Sequence, residues 1–414
     1  MRICMLVYYY WPEKAGGAES QCRKLSKALV DRGHQVTVLT SLGDSSLLRE
    51  EFDDEVHVIR LPIFESWFKS RKASTSSKHD NCFEYSGGNV GGDSEGGGKP
   101  SFVRSFLGQI AANSVRYLNI LVFYCSLVLC LKKRKNQFDT LHVHTADWIA
   151  GTATLAGKIF GIAVICKGAD TPVFPELVCV PARSFIDRYR KRPQFIALTD
   201  AMADDLCANG VYEDKITVIP NGVKIPTTIA DPSSNSNFLF LGNFSQTAAH
   251  KGFDIIVKAW RNVIAQEPNA RLIMAGGGDY AEWQELAYRY KIEDSISFPG
   301  YCSDIQSLFM KSCCLLLPSR KEGISNALLE AQSFGLPAIV SDLPGNREVV
   351  ISGKTGVIVP VNSSSALSDA ILTMYRDATM RGAYGLAARE RIETNFSIQS
   401  VAERVEAVYS RFLM

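Results

Sequence analysis

The 414-residue chain has almost no net charge, since 45 Lys and Arg against 43 Asp and Glu leave +2. No broad positive field is available to attract nucleic acid, so any anion site must be local. The sequence also lacks C-x-x-C pairs. Its 11 Cys are scattered and odd in number, without a disulfide or zinc framework, which points to a reducing compartment and to thiols serving as small core hydrophobes. There is no D-x-D and no Cys/His cluster at metal-ligand spacing, so a divalent cation is not needed as counter-charge to a phosphate. Neither G-x-G-x-x-G nor G-x-x-x-x-G-K-[ST] occurs, which argues against a dinucleotide oxidoreductase and a P-loop ATPase. The stretch Met1 to Tyr10 begins directly as a strand, without the basic, apolar and small-residue regions of a signal peptide, and a cytoplasmic chain is expected. The longest apolar run, Leu118 to Leu131, contains Asn119 and is too short for a typical bilayer span. A buried helix is the plainer reading. The other is peripheral membrane contact through 118–135, with an apolar face on acyl chains and Lys132-Lys133-Arg134-Lys135 on anionic headgroups.

What is present is an ordinary globular composition, 46% apolar, 21% charged and 10% aromatic, with strand-like apolar runs alternating with helical patterns. Ile3 to Val7 reads as a strand, Gly16-Gly17-Ala18-Glu19 opens a helix, and Gly33-His34 ends it before the strand Gln35 to Thr40. Thr199 is a plausible N-cap for a helix through Leu206. The fold class is α/β, with two doubly wound Rossmann-like domains whose strand ends face a shared crevice. The first domain is placed at 1–225, with a mobile Ser/Gly-rich insertion at about 70–100, and the second at 232–396. The polar, Pro-containing stretch between them serves as linker, and a helix over 397–414 is expected to return to the first domain.

The segment from Pro318 to Pro337 is the most informative. It places Glu322 in a turn after a buried strand, Ser325 near an N-cap, and Glu330 in the following helix. The free amides of Asn326 and Ala327 would sit at the helix N-terminus, where peptide dipoles favour an anion such as a diphosphate.

With these residues the chain resembles the retaining glycosyltransferases of family 4, which have the GT-B fold. Glu322 and Glu330 form the family's Glu-x7-Glu pair. In the family's order there also occur Gly16-Gly17-Ala18-Glu19, Gly33-His34-x-Val36, His142-Val-His144, Ile219-Pro-Asn-Gly-Val223, Lys251-Gly252, Phe298-x-Gly300 and Gly345-x-x-Glu348. The resemblance implies a retaining, metal-independent glycosyltransferase with no cofactor. It would move a sugar from a nucleotide-sugar donor, UDP- or GDP-linked, to a saccharide or lipid-linked glycan acceptor, in cell-envelope or exopolysaccharide biosynthesis. Glu330 would hold the donor ribose, Glu322 the transferred sugar, and Lys251 the leaving diphosphate. Gly323, Ile324 and Ser325 would line the phosphate turn with Asn326 and Ala327. Gly16 and Gly17 would let the donor approach the backbone, and His144 would face the transferred sugar while His142 points into packing. Gly277, Tyr301 and Cys302 would surround the nucleotide base.

Two positions depart from the pattern. Where the family usually has Arg, Gly242 is followed by Asn243, a neutral amide that donates without charge assistance; Arg320, near Glu322, is the candidate to supply the missing charge. Where many members carry a second His-Gly, the chain has Lys167-Gly168. Lys167 reads equally well as a contact for a phosphate or anionic acceptor and as a solvated strand-end cation. The alternative to an enzyme is a degenerate nucleotide-sugar-binding or scaffold protein of the same fold.

Overall fold

The computed structural model describes residues 1–13, 16–66, 102–177, 180–244 and 246–413; the insertion expected at about 70–100 therefore lies outside the described residues. The chain divides into two compact units. One comprises Met1–Ala197, Asp204–Thr217 and Glu406–Met414, the other Leu198–Ala203 and Val218–Val405.

In the first unit the order is β1 (Arg2–Leu6), α1 (Gly17–Asp31), β2 (Gln35–Leu42), β3 (Glu50–Asp53), β4 (Val56–Pro62), α2 (Phe102–Arg134) and β5 (Thr140–Val143). Then come α3 (Trp148–Phe160), β6 (Ala163–Lys167), α4 (Arg183–Arg190), β7 (Gln194–Ala197), α5 (Asp200–Ala208) and β8 (Ile216–Val218). The sheet runs β3-β4-β2-β1-β5-β6-β7-β8, parallel from β4 through β7, with β3 antiparallel on β4. Ile3 to Leu6 lacks polar alternation and Thr140 to Val143 is buried throughout, as expected of parallel strands covered on both faces. The Thr199 cap is present, its hydroxyl accepting from the Met202 amide at 3.1 Å. Asp147 caps α3 through the Ile149 amide at 2.8 Å.

The apolar run at 118–131 lies within α2, a helix much longer than the run itself. Asn113–Gln137 is long and apolar enough to cross a bilayer by length and composition. One face, Ile120, Phe123, Leu127 and Leu131, is buried, with Phe123 packed 5.2 Å from Tyr8 and 5.6 Å from Trp148 between ring centroids. The opposite stripe of Tyr117, Leu121, Cys125 and Leu129 is exposed.

The second unit follows with β9 (Asn237–Leu241), α6 (Phe253–Gln266), β10 (Arg271–Ala275), α7 (Ala281–Tyr290), β11 (Ile296–Gly300), α8 (Ile305–Met310) and β12 (Cys314–Leu317). It continues with α9 (Asn326–Ser333), β13 (Ala338–Ser341), α10 (Pro344–Val349), β14 (Gly356–Val359), α11 (Ser364–Arg376), α12 (Ala378–Asn395) and α13 (Ile398–Leu413). Its sheet, β11-β10-β9-β12-β13-β14, is parallel throughout. The core is built on Phe238, Phe240, Phe253 and Trp260, and the Trp260 indole N–H is satisfied by the Ser295 hydroxyl at 2.9 Å.

The main stretch of the second unit begins at Val218. Val223 donates to the Phe396 carbonyl and accepts from the Ile398 amide, and Gly222 lies so close to Ile398 that a Cβ there would be 2.7 Å from its Cδ1. The stretch expected as a linker is fastened down within the second unit. Arg389 donates to the Pro226 carbonyl at 2.8 Å, and the buried Arg381 donates to that of Pro232 at 2.9 Å. The helix expected at 397–414 is likewise shared, since only its part from Glu406 onward belongs to the first unit. There Glu406 pairs with Arg32 at 2.5 Å.

Candidate functional site

In the second unit the fully buried β12 delivers the chain into the turn that carries Glu322. A short 3-10 segment, Gln246–Lys251, is laid against that turn by Gly252. With φ at +77° and a would-be Cβ only 2.3 Å from the Pro318 carbonyl oxygen, this position accepts glycine alone. The result is a Lys251 Nζ to Glu322 Oε2 contact of 2.7 Å, with the Ser319 hydroxyl donating to the same oxygen at 3.2 Å. The two side chains are 22% and 12% exposed, so the pair is largely screened from water yet reachable.

The following residues are held from two sides. Asn221 Nδ2 donates to the Ile324 carbonyl at 3.2 Å, and Gly345 packs so tightly on Gly323 that a Cβ would fall 1.6 Å from its carbonyl oxygen. This accounts physically for two of the sequence motifs. Ser325 sits extended at the N-cap of α9 but its side chain makes no capping bond. The N-terminus of α9 presents the positive end of the helix dipole next to the Gly323 to Ser325 turn. Glu330 lies half-buried beyond the first turn of the same helix.

Arg320 has a task that the sequence did not disclose. Its guanidinium donates to Asn362 Oδ1 at 2.7 Å, to the Ala249 carbonyl at 3.0 Å and to Asp254 Oδ2 at 2.8 Å, while its amide donates to the His250 carbonyl. All three guanidinium nitrogens are thus engaged in clamping the segment that carries Lys251. Burial would raise the Asp254 carboxyl, but the Arg320 hydrogen bond and charge outweigh it and hold it below its usual value.

The remaining expected residues of this unit lie at the carboxyl ends of the neighbouring strands β9, β10 and β11. The turns after β9 and β10 are zipped together: the Phe244 amide donates to the Gly277 carbonyl at 2.7 Å, and Gly276, at φ +154°, leaves no room for a Cβ beside the Gly242 carbonyl. Asn243 is exposed at this edge. Tyr301 is 81% exposed and Cys302 half-buried.

In the first unit, Gly16 is the N-cap of α1, with Gly17 opening the helix. A Cβ at Gly16 would meet only the flexible carboxylate end of Glu19, so the local fold does not demand glycine there. His144 and Lys167 lie at the ends of the adjacent strands β5 and β6, one register step beyond the Val143–Cys166 pair. His142 does not diverge from His144, because alternate strand residues share a face. The two rings stack at 4.6 Å, and His142 Nδ1 lies 2.5 Å from the hydroxyl of Tyr409 on α13. Burial, with the nearby Lys167 charge, pushes His142 down to about 3; burial, His142 and Lys167 push His144 well below the usual range. Both imidazoles are therefore neutral. Lys167 is 3% exposed, which removes its reading as a solvated cation. Tyr409 had no local signal in sequence, being 267 residues from its partner. Among the described residues no group of three or more His, Cys, Asp or Glu is arranged to hold a metal.

Residues 16–222 match the family described as Glycosyl transferase 4-like domain, which is half of the chain, and residues 225–391 match Glycosyl transferases group 1. The chain belongs to this glycosyltransferase family. Among its relatives, the capsular polysaccharide biosynthesis glycosyltransferase CapM of Staphylococcus aureus is 24% identical over 234 residues, covering 53% of this chain and 61% of CapM. The chain thus spans about three-fifths of that relative's length. The N-acetyl-alpha-D-glucosaminyl L-malate synthase of Bacillus anthracis is 27% identical over 297 residues, 67% of this glycosyltransferase and 75% of the synthase. Among solved structures, Anabaena HepE in complex with UDP superposes with a TM-score of 0.70 at 18% identity, covering 99% of this chain and 100% of HepE. The two Rossmann-like domains are those of the GT-B fold, as the sequence led one to expect.

Proposed function

We propose that this transferase moves a sugar from a UDP- or GDP-linked donor to a saccharide or lipid-linked glycan acceptor in cell-envelope or exopolysaccharide biosynthesis. The observation that carries the donor half is the Lys251–Glu322 pair, with Glu322 three residues ahead of the Ser325 N-cap of α9 and its positive dipole end. Such a terminus and an ammonium together form a local anion site suited to a leaving diphosphate, in a chain of almost no net charge. Those groups supply the counter-charge, so the reading is metal-independent. Glu322 is held as a hydrogen-bond acceptor by Lys251 and Ser319, an arrangement that favours binding sugar hydroxyls over nucleophilic attack. Retention then follows from front-face displacement, in which the departing phosphate helps deprotonate the acceptor hydroxyl. Glu330 takes the ribose, and His144, a neutral imidazole, takes the sugar. HepE, solved with UDP and with UDP-glucose, and CapM, named for capsular polysaccharide, support the donor class and the setting.

The experiment is a thermal-shift panel of UDP, GDP, ADP and their common sugar conjugates on the wild type and Glu330→Ala, because a ligand bound only by the native state raises the melting temperature. A shift with one nucleotide series, lost in the variant, is expected. No shift with any of them in folded protein overturns the reading.

The proposal extends to a cytoplasmic chain that rests on the membrane through 118–135. The exposed stripe of Tyr117, Leu121, Cys125 and Leu129 runs into Lys132 and Lys133, pairing an apolar face with a basic end. Co-sedimentation with phosphatidylglycerol vesicles, reduced in Leu121→Asn/Leu129→Asn and absent with phosphatidylcholine, is the expected outcome; equal binding by the variant overturns it.

A further inference from the structure

The first unit contains a buried cation that no described residue balances. Lys167 is 3% exposed, and among the described residues no hydrogen bond or ion pair reaches its ammonium. The titratable groups around it are Cys22 on α1 and the His142–His144 pair on β5, with Tyr409 on α13 behind His142. Of these, Cys22 is pushed up to about 12 by burial and Tyr409 is raised as well, again by burial, so neither is an anion at neutral pH. Among the described residues no carboxylate acts on Lys167 itself, the nearest in the chain of contacts being Glu19 on α1, which acts on Cys22.

Beside the lysine two polar ring atoms are buried without partners, His142 Nε2 and His144 Nε2. In the tautomer where the protonated Tyr409 phenol donates to His142 Nδ1, Nε2 of that ring carries the hydrogen and is a donor without an acceptor. A buried charge without a counter-ion, and a buried donor without an acceptor, each cost free energy that an apolar side chain of similar size would not. An incoming oxyanion satisfies the ammonium and the His142 donor together. It would bring negative charge to Lys167 and lone pairs to the imidazole N–H.

We infer that Lys167, beside the stacked His142–His144 pair, binds an oxyanion of the acceptor, a phosphate ester or a carboxylate, so that this transferase selects an anionic acceptor over a neutral one. The inference rests on the transferase reading for the word acceptor; the anion site itself stands on the unpaired groups.

The test uses the full chain, wild type and Lys167→Met, titrated by calorimetry with glucose 6-phosphate, glucuronate, glucose and UDP. Wild type is expected to bind one or both oxyanion sugars at least tenfold more tightly than glucose. Lys167→Met is expected to lose at least tenfold of that affinity while binding UDP as the wild type does, and to melt at or above the wild-type temperature. Equal oxyanion binding by the variant, or none by a wild type that binds UDP, overturns the inference and leaves the donor reading standing. A parallel fall in UDP affinity assigns the lysine to the donor phosphate and overturns it too. A variant that melts well below the wild type would show the ammonium to be a structural prop, which equally overturns the inference. Failure of the wild type to bind any nucleotide counts against the transferase reading instead, and oxyanion binding lost in the variant would still establish the site.

Discussion

Lys251, at the end of the 3-10 segment after β9, and Lys167, at the end of β6, are arranged in opposite ways. Lys251, in the second unit, is partly exposed and already paired with Glu322 at 2.7 Å, on a segment that Gly252 and the Arg320 clamp fix in place. Lys167, in the first, is buried among groups that carry no negative charge. A paired, half-exposed charge is inexpensive to keep and ready to exchange partners, whereas a buried unpaired one is a standing cost. The first arrangement suits a phosphate that every donor carries. The second suits a feature of one particular substrate, which is why a residue that departs from the family pattern is informative here.

The largest effect that tests this contrast is on turnover. Lys251→Met removes the positive charge beside the α9 N-terminus, and loss of one such electrostatic contact to a developing anion costs about 10²–10³-fold in rate. Stability should fall only on the order of 1 kcal/mol, because the pair is partly solvated. Measured with the donor that the nucleotide panel identifies, a loss under about threefold would break the comparison, leaving Lys251 as a partner for Glu322 and nothing more.

Much of the second unit's site was legible in the sequence because glycines and backbone turns build it. Lys251-Gly252, the turn from Gly323 to Ser325, and Gly345 each mark a place where chain segments approach too closely for a Cβ, and such positions leave a signature at fixed spacing. The alternation of strands and helices was legible for a similar local reason. What could not be read were side-chain partnerships between distant segments. Arg320 looks like a free cation until Asp254, 66 residues earlier, and Asn362 are brought to it. His142 looks like packing until Tyr409 arrives from the last helix. The polar, Pro-containing stretch has the composition of a free linker, and its fastening could not be read because Arg381 and Arg389 lie about 150 residues further on. The 118–131 run showed its hydrophobicity but not which face the first unit would cover.

The smaller effect concerns stability and sharpens the contrast from the other side. Burial, partly offset by Cys22, lowers the Lys167 ammonium from its usual value to about 8. Below about pH 8 the lysine is protonated in both folded and unfolded chains, and the full penalty of burying the charge applies. Between about 8 and the unfolded value near 10.4 the unfolded chain binds more protons than the native one, so this group makes stability rise with pH. A shift of that size corresponds to at most about 3 kcal/mol. Cys22 and Tyr409, raised by burial, work in the opposite direction over the alkaline range, because their native forms hold protons that the unfolded chain releases. His142 and His144, kept neutral, lose stability only as the pH falls below about 6.5. The difference between wild type and Lys167→Met isolates the lysine from all four. Denaturant unfolding of both from pH 7 to 10.5 should find the variant more stable at pH 7 and its advantage shrinking steadily above pH 8. An advantage that does not change with pH would mean that Lys167 titrates at its ordinary value, and that its charge is already balanced in the folded chain.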